Sequence, residues 1–197
     1  EKEAPGYLPD QEIHEFTVTA SEESGLNPAL KLTNLSIKGK IIYSAADSRT
    51  GYPLEGVQAG LYAAEDIRHP DASGTVWHQS GRLVAEITTG PDGTAEVTAD
   101  LDGRPVFPGR YYFLESAPRA GYEKTVRRQE LILKPMAEDG PYAVAKALCL
   151  SSPLSAEAAL LVRDIENRNP LRDVRAALYA AEDLIYPDGS GTVIYEA

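Results

Sequence analysis

Hydrophobic and polar residues alternate along several short segments of this chain. In TAEVTADL, every second residue from Ala95 to Leu101 faces one side of the predicted strand, and every second residue from Thr94 to Asp100 faces the other. A period of two residues is typical of a strand with one buried face. Six other segments read as strands: GKIIYSA, VQAGLYA, RLVAEITT, GRYYFLES, QELILKP and YAVAKALCLS. We therefore predict about seven strands and no long amphipathic helix.

Turn-forming residues separate these segments. Gly90, Pro91, Asp92 and Gly93 join RLVAEITT to TAEVTADL, and glycine adopts the positive φ that a tight turn needs. The 16 glycines and 14 prolines are spread along the chain, which favours many short strands over a few long elements. This pattern predicts an all-β fold, an antiparallel β-sandwich of about seven strands.

Two stretches of the chain are nearly identical. LYAAEDIRHPDASGTV begins at Leu61 and LYAAEDLIYPDGSGTV begins at Leu178, an offset of 117 residues, and the sequences around Tyr7 and Tyr122 are related by an offset of 115. Self-similarity at a nearly fixed spacing indicates tandem modules, and about 115 residues is a common domain size. We predict the C-terminal part of an upstream module in residues 1–36, a complete sandwich in 37–152, and the N-terminal part of a downstream module in 153–197.

The order of the motifs resembles that of a known family. GYPLEGVQAGLYAAEDI, PGRYYFLESAPRAGY and LTNLSIKGKI resemble the prealbumin-like repeats of Gram-positive surface proteins and pilins, the SpaA-type or collagen-adhesin B-type domains. The resemblance covers nearly the whole chain. It implies a prealbumin-like (reverse Ig-like) sandwich that serves as a non-enzymatic stalk or adhesin repeat, without a cofactor, in a cell wall-anchored or secreted protein. Its partners would be neighbouring repeats of the same chain, with a host or matrix protein bound through other domains.

Many members of this family carry a self-formed isopeptide bond. A buried Lys on the first strand attacks an Asn on the last strand while a buried, protonated Glu transfers protons. The resemblance places the Lys position of the central module at Ala45, the Glu position at Glu115 and the Asn position at Ser151. Because this module has neither the amine nor the carboxamide, we predict that it has no cross-link. An unpaired glutamate is rarely buried, so we expect the Glu115 carboxylate to reach water.

The resemblance gives different expectations for the partial modules. Glu1 stands where the family has its Glu and Asn34 where it has its Asn, so the upstream module has an isopeptide-type site whose Lys would lie outside this chain. Asn34 is equally compatible with a turn residue ahead of Leu35. In the downstream module Val162 occupies the Lys position, so that site is degenerate.

Composition excludes several other classes. The net charge is −11 and the densest basic stretch is VRR at 126–128, which argues against nucleic-acid binding. No apolar run approaches the roughly 18 residues that a membrane span needs. Cys149 is the only cysteine, so an internal disulfide is impossible, and a buried core position is expected for it. The three histidines lack metal-ligand spacing, so we predict no metal site.

Two functions remain open at this point. One is a structural or adhesive repeat of a bacterial surface or pilin-like protein. The other is a spacer sandwich in a secreted multidomain enzyme, and the flanking sequence would separate the two. No nucleophile, base and orienting group form a plausible catalytic set, and PDASG and PDGSG lack the final Glu of a calcium loop, so we predict hairpin turns there.

Overall fold

The structure is a computed structural model that describes residues 4–15 and 32–197. It contains eleven strands: β1 (Lys38–Asp47), β2 (Gln58–Ala63), β3 (Ile67–Arg68), β4 (Val76–His78), β5 (Leu83–Thr88), β6 (Thr94–Val97), β7 (Gly109–Ala117), β8 (Gln129–Leu133), β9 (Tyr142–Ser151), β10 (Leu184–Ile185) and β11 (Val193–Tyr195). Within these residues the chain forms no helix, and hence none suited to crossing a membrane. The prediction of an all-β fold is confirmed.

Seven strands form two sheets packed face to face. One sheet has the order β6-β1-β9 and the other β5-β2-β7-β8, and these strands arise from the seven segments predicted from the sequence. The pairings within both sheets are antiparallel, except that β1 and β9 run parallel. Tyr43 of β1 packs against Phe113 of β7 with ring centres 4.7 Å apart, which joins the two sheets across the core. The β-sandwich prediction is confirmed.

The first and last strands of the sandwich form its longest ladder. β1 and β9 pair over ten consecutive residues, from Lys38 opposite Tyr142 to Asp47 opposite Ser151. Every second residue of β9 faces the core, and these are three alanines followed by Cys149 and Ser151. These small side chains leave room for the large buried aromatics of the facing strands. Cys149 is a buried free thiol, as the sequence predicted.

The alternation predicted in TAEVTADL ends before that segment does. Strand β6 stops at Val97, Leu101 is 57% exposed, and Asp100 is buried. The Asp100 carboxylate accepts hydrogen bonds from the backbone N–H groups of Asp102 and Arg104, so it closes a turn at this point. The prediction that Leu101 faces the core and Asp100 faces solvent is therefore wrong, because a side chain that caps a turn overrides the strand period.

The repeat is visible in the backbone as well as in the sequence. Both strands of the hairpin β10–β11 begin and end 117 residues after the corresponding strands of the hairpin β3–β4. Residues 155–164 and 175–180, which correspond to β1 and β2, are not strands. In the central part of the chain, β1 and β2 pair with β5, β6, β7 and β9. A strand needs a partner for its backbone N–H and C=O groups, and within these two ranges the strand-like pairing is limited to an isolated bridge of Arg163 with Pro170.

Candidate functional site

All three positions of the predicted degenerate isopeptide site are buried in the core. Ala45 is buried on β1 directly opposite Cys149 of the parallel strand β9. Glu115 comes from β7 of the other sheet, and its Oε2 is 3.9 Å from the Cys149 sulfur. Ser151 lies two residues further along β9, opposite Asp47, and its buried Oγ has no hydrogen-bond partner among the described residues. The residue that meets Glu115 is therefore Cys149.

Glu115 does not reach water, contrary to the expectation from its sequence. Its exposure is 7%, and its Oε1 accepts a hydrogen bond of 3.3 Å from the backbone N–H of Thr125. The Cys149 thiol lies near both Glu115 and the Thr125 hydroxyl. Burial raises the pKa of Glu115, and the contacts with Thr125 and Cys149 offset only part of that effect. Neutral donors around the carboxyl group replace the missing ionic partner.

The chemistry that this arrangement supports is limited. Glu115 has the environment of a proton donor, a carboxyl group held toward its protonated form in a dry core. Ala45 supplies no amine, and the β9 residue that Glu115 meets is Cys149, which carries a thiol instead of a carboxamide. Burial also raises the pKa of Tyr43, so its hydroxyl stays neutral. The absence of a cross-link in this module stays a prediction that a mass measurement decides.

The positions in the partial modules differ in what can be described. Glu1 lies outside the described residues, and Asn34 is half-buried beside the loop that contains Tyr7. Val162 is half-buried, and its carbonyl accepts a hydrogen bond of 3.0 Å from the N–H of Leu171. In the central module the carbonyl of Ala45 accepts the equivalent bond, 2.9 Å long, from Leu54. Val162 and Ala45 thus occupy corresponding places in the local backbone structure.

A buried carboxylate that the sequence analysis overlooked lies at the end of β1. Asp47 Oδ2 accepts hydrogen bonds from the hydroxyls of Tyr122, at 2.6 Å, and Tyr186, at 3.1 Å. Asp47 Oδ1 accepts the backbone N–H groups of Arg49 and Thr50, both at 2.7 Å. Burial alone would raise the pKa of Asp47, but these hydrogen bonds outweigh it and lower the pKa to about 2. The only sequence signal was the repeated Gly-Tyr motif, which contains Tyr122.

A second overlooked cluster surrounds His78. The His78 side chain is fully buried, and its Nε2 is 3.0 Å from Asp100 Oδ2. Arg104 donates to the same oxygen through its Nε at 2.9 Å and stacks over the Trp77 ring. Burial lowers the pKa of His78 despite the nearby carboxylate, while the pKa of Asp100 falls to about 2 because hydrogen bonds from His78 and Arg104 outweigh its desolvation. Because Asp100 lies 22 residues from His78, local spacing did not reveal the pair.

One group of possible metal ligands occurs within the described part of the chain. Asp10, Glu12 and His14 bring their ligand atoms within 4.8 Å of one another at the surface. His14 Nε2 is 2.6 Å from Asp10 Oδ2, and the backbone N–H of Glu12 donates to Asp10 Oδ1. These hydrogen bonds explain why the three residues lie close together, and we assign no metal to them.

Comparison with known proteins gives matches only among solved structures. No protein-family model matches the chain, and no curated protein sequence matches it. The Bacillus anthracis TIE protein matches with a TM-score of 0.54 at 18% identity, over 76% of this chain and 23% of that protein. The group B streptococcus pilus 2b backbone protein matches with a TM-score of 0.44 at 21% identity, over 61% and 43% of the two chains. The shaft pilin spaA from Lactobacillus rhamnosus GG (a D295N mutant) gives 0.39 at 18% identity, over 68% and 58%.

These matches bear on the fold and not on the whole protein. The chain spans less than two thirds of the length of each of the three structures. At identities this low, the match to the TIE protein shows a shared fold. The resemblance to the prealbumin-like domains of Gram-positive surface proteins is confirmed at that level.

Proposed function

We propose that this chain is a non-enzymatic structural repeat of a bacterial surface stalk or adhesin, and that its central module, residues 37–152, carries tension along the chain. The parallel pairing of the first and last strands supports this proposal most directly. Because β1 and β9 are parallel, the chain enters the ladder at Lys38 and leaves it at Ser151, at opposite ends. A pull on the two ends of the module therefore draws the strands past each other in shear.

Shear loading makes such a ladder resistant to force. Ten residue pairs at about 3.3 Å per residue form a ladder of about 30 Å, and a force along the strands loads its hydrogen bonds together. A force across the strands would break the same bonds one after another. Forced unfolding is governed by the height of the unfolding barrier, and the shear geometry raises that barrier without changing the equilibrium stability.

A mechanical role also agrees with the chemistry of the core. The Glu115 carboxyl group lies beside the Cys149 thiol, and the Lys position is an alanine, so the site offers neither an amine nor a carboxamide with a leaving group. The proposal assigns no enzymatic activity and no cofactor to the chain. Its strength would come from burial and hydrogen bonding, with a covalent cross-link reserved for the upstream module, where a Lys outside this chain would bond to Asn34 with the assistance of Glu1 and the loss of ammonia.

The organisation and location of the protein belong to the same proposal. Residues 1–36 and 153–197 are parts of neighbouring modules, which would be the immediate partners of the central one. The shared fold and the motifs of Gram-positive surface proteins favour a protein that is secreted or anchored in the cell wall. A host or matrix protein would be engaged by other domains of the full-length protein.

Single-molecule force spectroscopy tests the proposal. Handles attached through Lys38→Cys and Ser152→Cys load the ladder in shear, and handles through Lys38→Cys and Tyr142→Cys, which are paired residues, peel the same strands apart. We expect a clearly higher unfolding force in the first geometry. Equal forces in both would remove the mechanical argument. A catalytic domain next to these repeats in the full reading frame would favour the spacer role in a secreted enzyme.

A further inference from the structure

Two contacts between successive modules have the same geometry. In the upstream contact, a Cβ added to Gly6 would lie 2.7 Å from the Cβ of Pro70, which follows β3. In the downstream contact, a Cβ added to Gly121 would lie 2.7 Å from the Cβ of Pro187, which follows β10. In both cases the glycine of a Gly-Tyr loop meets the proline of the hairpin in the next module. Both glycines have positive φ, 84° and 87°.

The two hairpins present their prolines on turns that are built alike. The Asp71 carboxylate accepts the N–H of Ser73 at 2.9 Å, and the Asp188 carboxylate accepts the N–H of Ser190 at 2.8 Å. Each serine hydroxyl then lies 2.7 Å from the hydroxyl of the threonine two residues later. Since the same internal hydrogen bonds recur 117 residues apart, each module presents the same rigid turn to the module before it.

Polar contacts accompany the downstream contact between glycine and proline. The Tyr186 hydroxyl donates to Asp47 at 3.1 Å, and the Thr50 hydroxyl donates to Asp188 at 3.2 Å. Arg119 donates through Nε to the Pro187 carbonyl at 3.1 Å. The side chains of Asp47 and Asp188 are both buried at this contact. A hairpin with these contacts is docked on the central module.

A paired difference between the two contacts indicates that the surfaces are matched. In the downstream contact, a Cβ on Gly189 would lie 2.7 Å from Arg119 Nη2, so the bulky arginine faces a glycine. In the upstream contact, Ala4 stands at the position of Arg119 and Ala72, with a φ of 61°, stands at that of Gly189. Ala4 and Ala72 line one groove. In the upstream contact the small Ala4 leaves room for the methyl group of Ala72. In the downstream contact Arg119 occupies the corresponding space, and the hairpin residue is Gly189.

We propose that the hairpin of each module docks on the Gly-Tyr loop and the Asp47 turn of the preceding module and so forms a fixed joint between neighbours. The docking partner is the adjacent module of the same chain. This inference rests on the proposed function only in requiring that modules follow one another in tandem. It adds the surface through which neighbouring modules meet. A fixed joint at this surface would set the orientation of each module relative to the one before it.

Nuclear magnetic resonance relaxation of the ¹⁵N-labelled 197-residue chain tests the joint. In the unchanged chain, the amides of residues 184–195 should tumble with those of β1 to β9. Gly189→Ala should increase the mobility of the hairpin amides, because the added Cβ displaces the Arg119 guanidinium that donates to Pro187, in addition to the strain of alanine at a φ of 91°. In an Arg119→Ala background, the same substitution should have a much smaller effect, since it reproduces the pair Ala4 and Ala72.

Two outcomes would overturn the joint. One is independent tumbling of the hairpin in the unchanged chain, and the other is an equal effect of Gly189→Ala in both backgrounds. If Arg119→Ala disturbs the signals of the sandwich itself, Tyr186→Phe decides instead. Tyr186→Phe should increase hairpin mobility. The control Tyr179→Phe, at a tyrosine that is 84% exposed, should not change it. Equal relaxation in these two variants would refute the docking. The force experiment above reports on the β1–β9 ladder alone, so either idea can fail without the other.

Discussion

Replacing Asp47 by asparagine tests whether the buried carboxylate at the end of β1 stabilises the fold. The carboxylate accepts two tyrosine hydroxyls, from Tyr122 and Tyr186, and two backbone N–H groups, from Arg49 and Thr50. Asparagine keeps one acceptor oxygen for the backbone. Its NH₂ group, however, meets hydroxyls that now donate to Asp47, and the negative charge that strengthens all four bonds is lost.

The pKa gives the size of the effect. A fall from the ordinary 3.8 to about 2 is equivalent to about 2.5 kcal/mol between the folded and unfolded states. We reduce this to about 1–2 kcal/mol because asparagine retains part of the hydrogen bonding and because the adjoining exposed turn admits solvent that screens the charge. The folded-state pKa lies below the unfolded value, so the contribution is complete above about pH 4 and disappears as the pH falls toward 2.

Urea unfolding of the full chain, followed through Trp77, the single tryptophan, measures this difference. Asp47→Asn should lower the free energy of unfolding by about 1–2 kcal/mol at pH 7, with the gap to the unchanged chain closing near pH 2. Asp173→Asn makes the same change of net charge at an exposed position and should leave stability within about 0.5 kcal/mol. A gap that is absent at pH 7, or that persists unchanged at pH 2, would refute the role assigned to the Asp47 charge.

Three further predictions concern the core. The intact mass of the unmodified chain should equal the sequence mass, whereas Ala45→Lys combined with an Asn at either 149 or 151 should lose about 17 Da as ammonia leaves. The variant that loses mass identifies the position that faces Glu115, and a loss in the unmodified chain would contradict the degenerate site. Glu115→Gln should raise the free energy of unfolding at pH 7 and have no effect below about pH 4, because burial raises the carboxyl pKa above its unfolded value. Stability should fall as the pH drops below 6.5, since protonated His78 would place a new N–H at its buried Nδ1, which has no hydrogen-bond partner among the described residues. His78→Gln, which retains a donor to Asp100, should flatten that loss.

The two sheets could be predicted from the sequence because their strands have one buried face and well-marked turns. In β1, every second residue from Ile41 to Asp47 is buried, so the period of two is clear. The parallel pairing of β1 with β9 could not be predicted, because alternation is the same in parallel and antiparallel strands. The turn at Asp100 was also missed, since an aspartate after a short strand is equally compatible with a polar strand face.

The candidate site was predictable only where it follows the alternation. Ala45 is buried in the alternation of β1, whereas the Glu115 carboxylate is buried although it was expected to reach water. Which residue of β9 meets Glu115 depends on how the two sheets sit against each other, and no local pattern contains that information. The two tyrosines that donate to Asp47 lie 75 and 139 residues away in the sequence, so this cluster of side chains forms only when the chain has folded.

The position of Asp47 connects the ladder with the joint. It is the last residue of β1 and stands opposite Ser151, the last residue of β9, at the end where the chain continues into the downstream module. In the proposed stalk, tension from that module would reach the ladder at this pair, which contains Ser151, the Asn position of the degenerate site, and lies two residues from Ala45, its Lys position. Asp47 is bonded there to the Gly-Tyr loop through Tyr122 and to the next hairpin through Tyr186. In the proposed stalk the load would therefore be shared among strand, loop and neighbouring module, and because these bonds depend on one carboxylate, acid below about pH 4 should weaken the end of the ladder and the joint together.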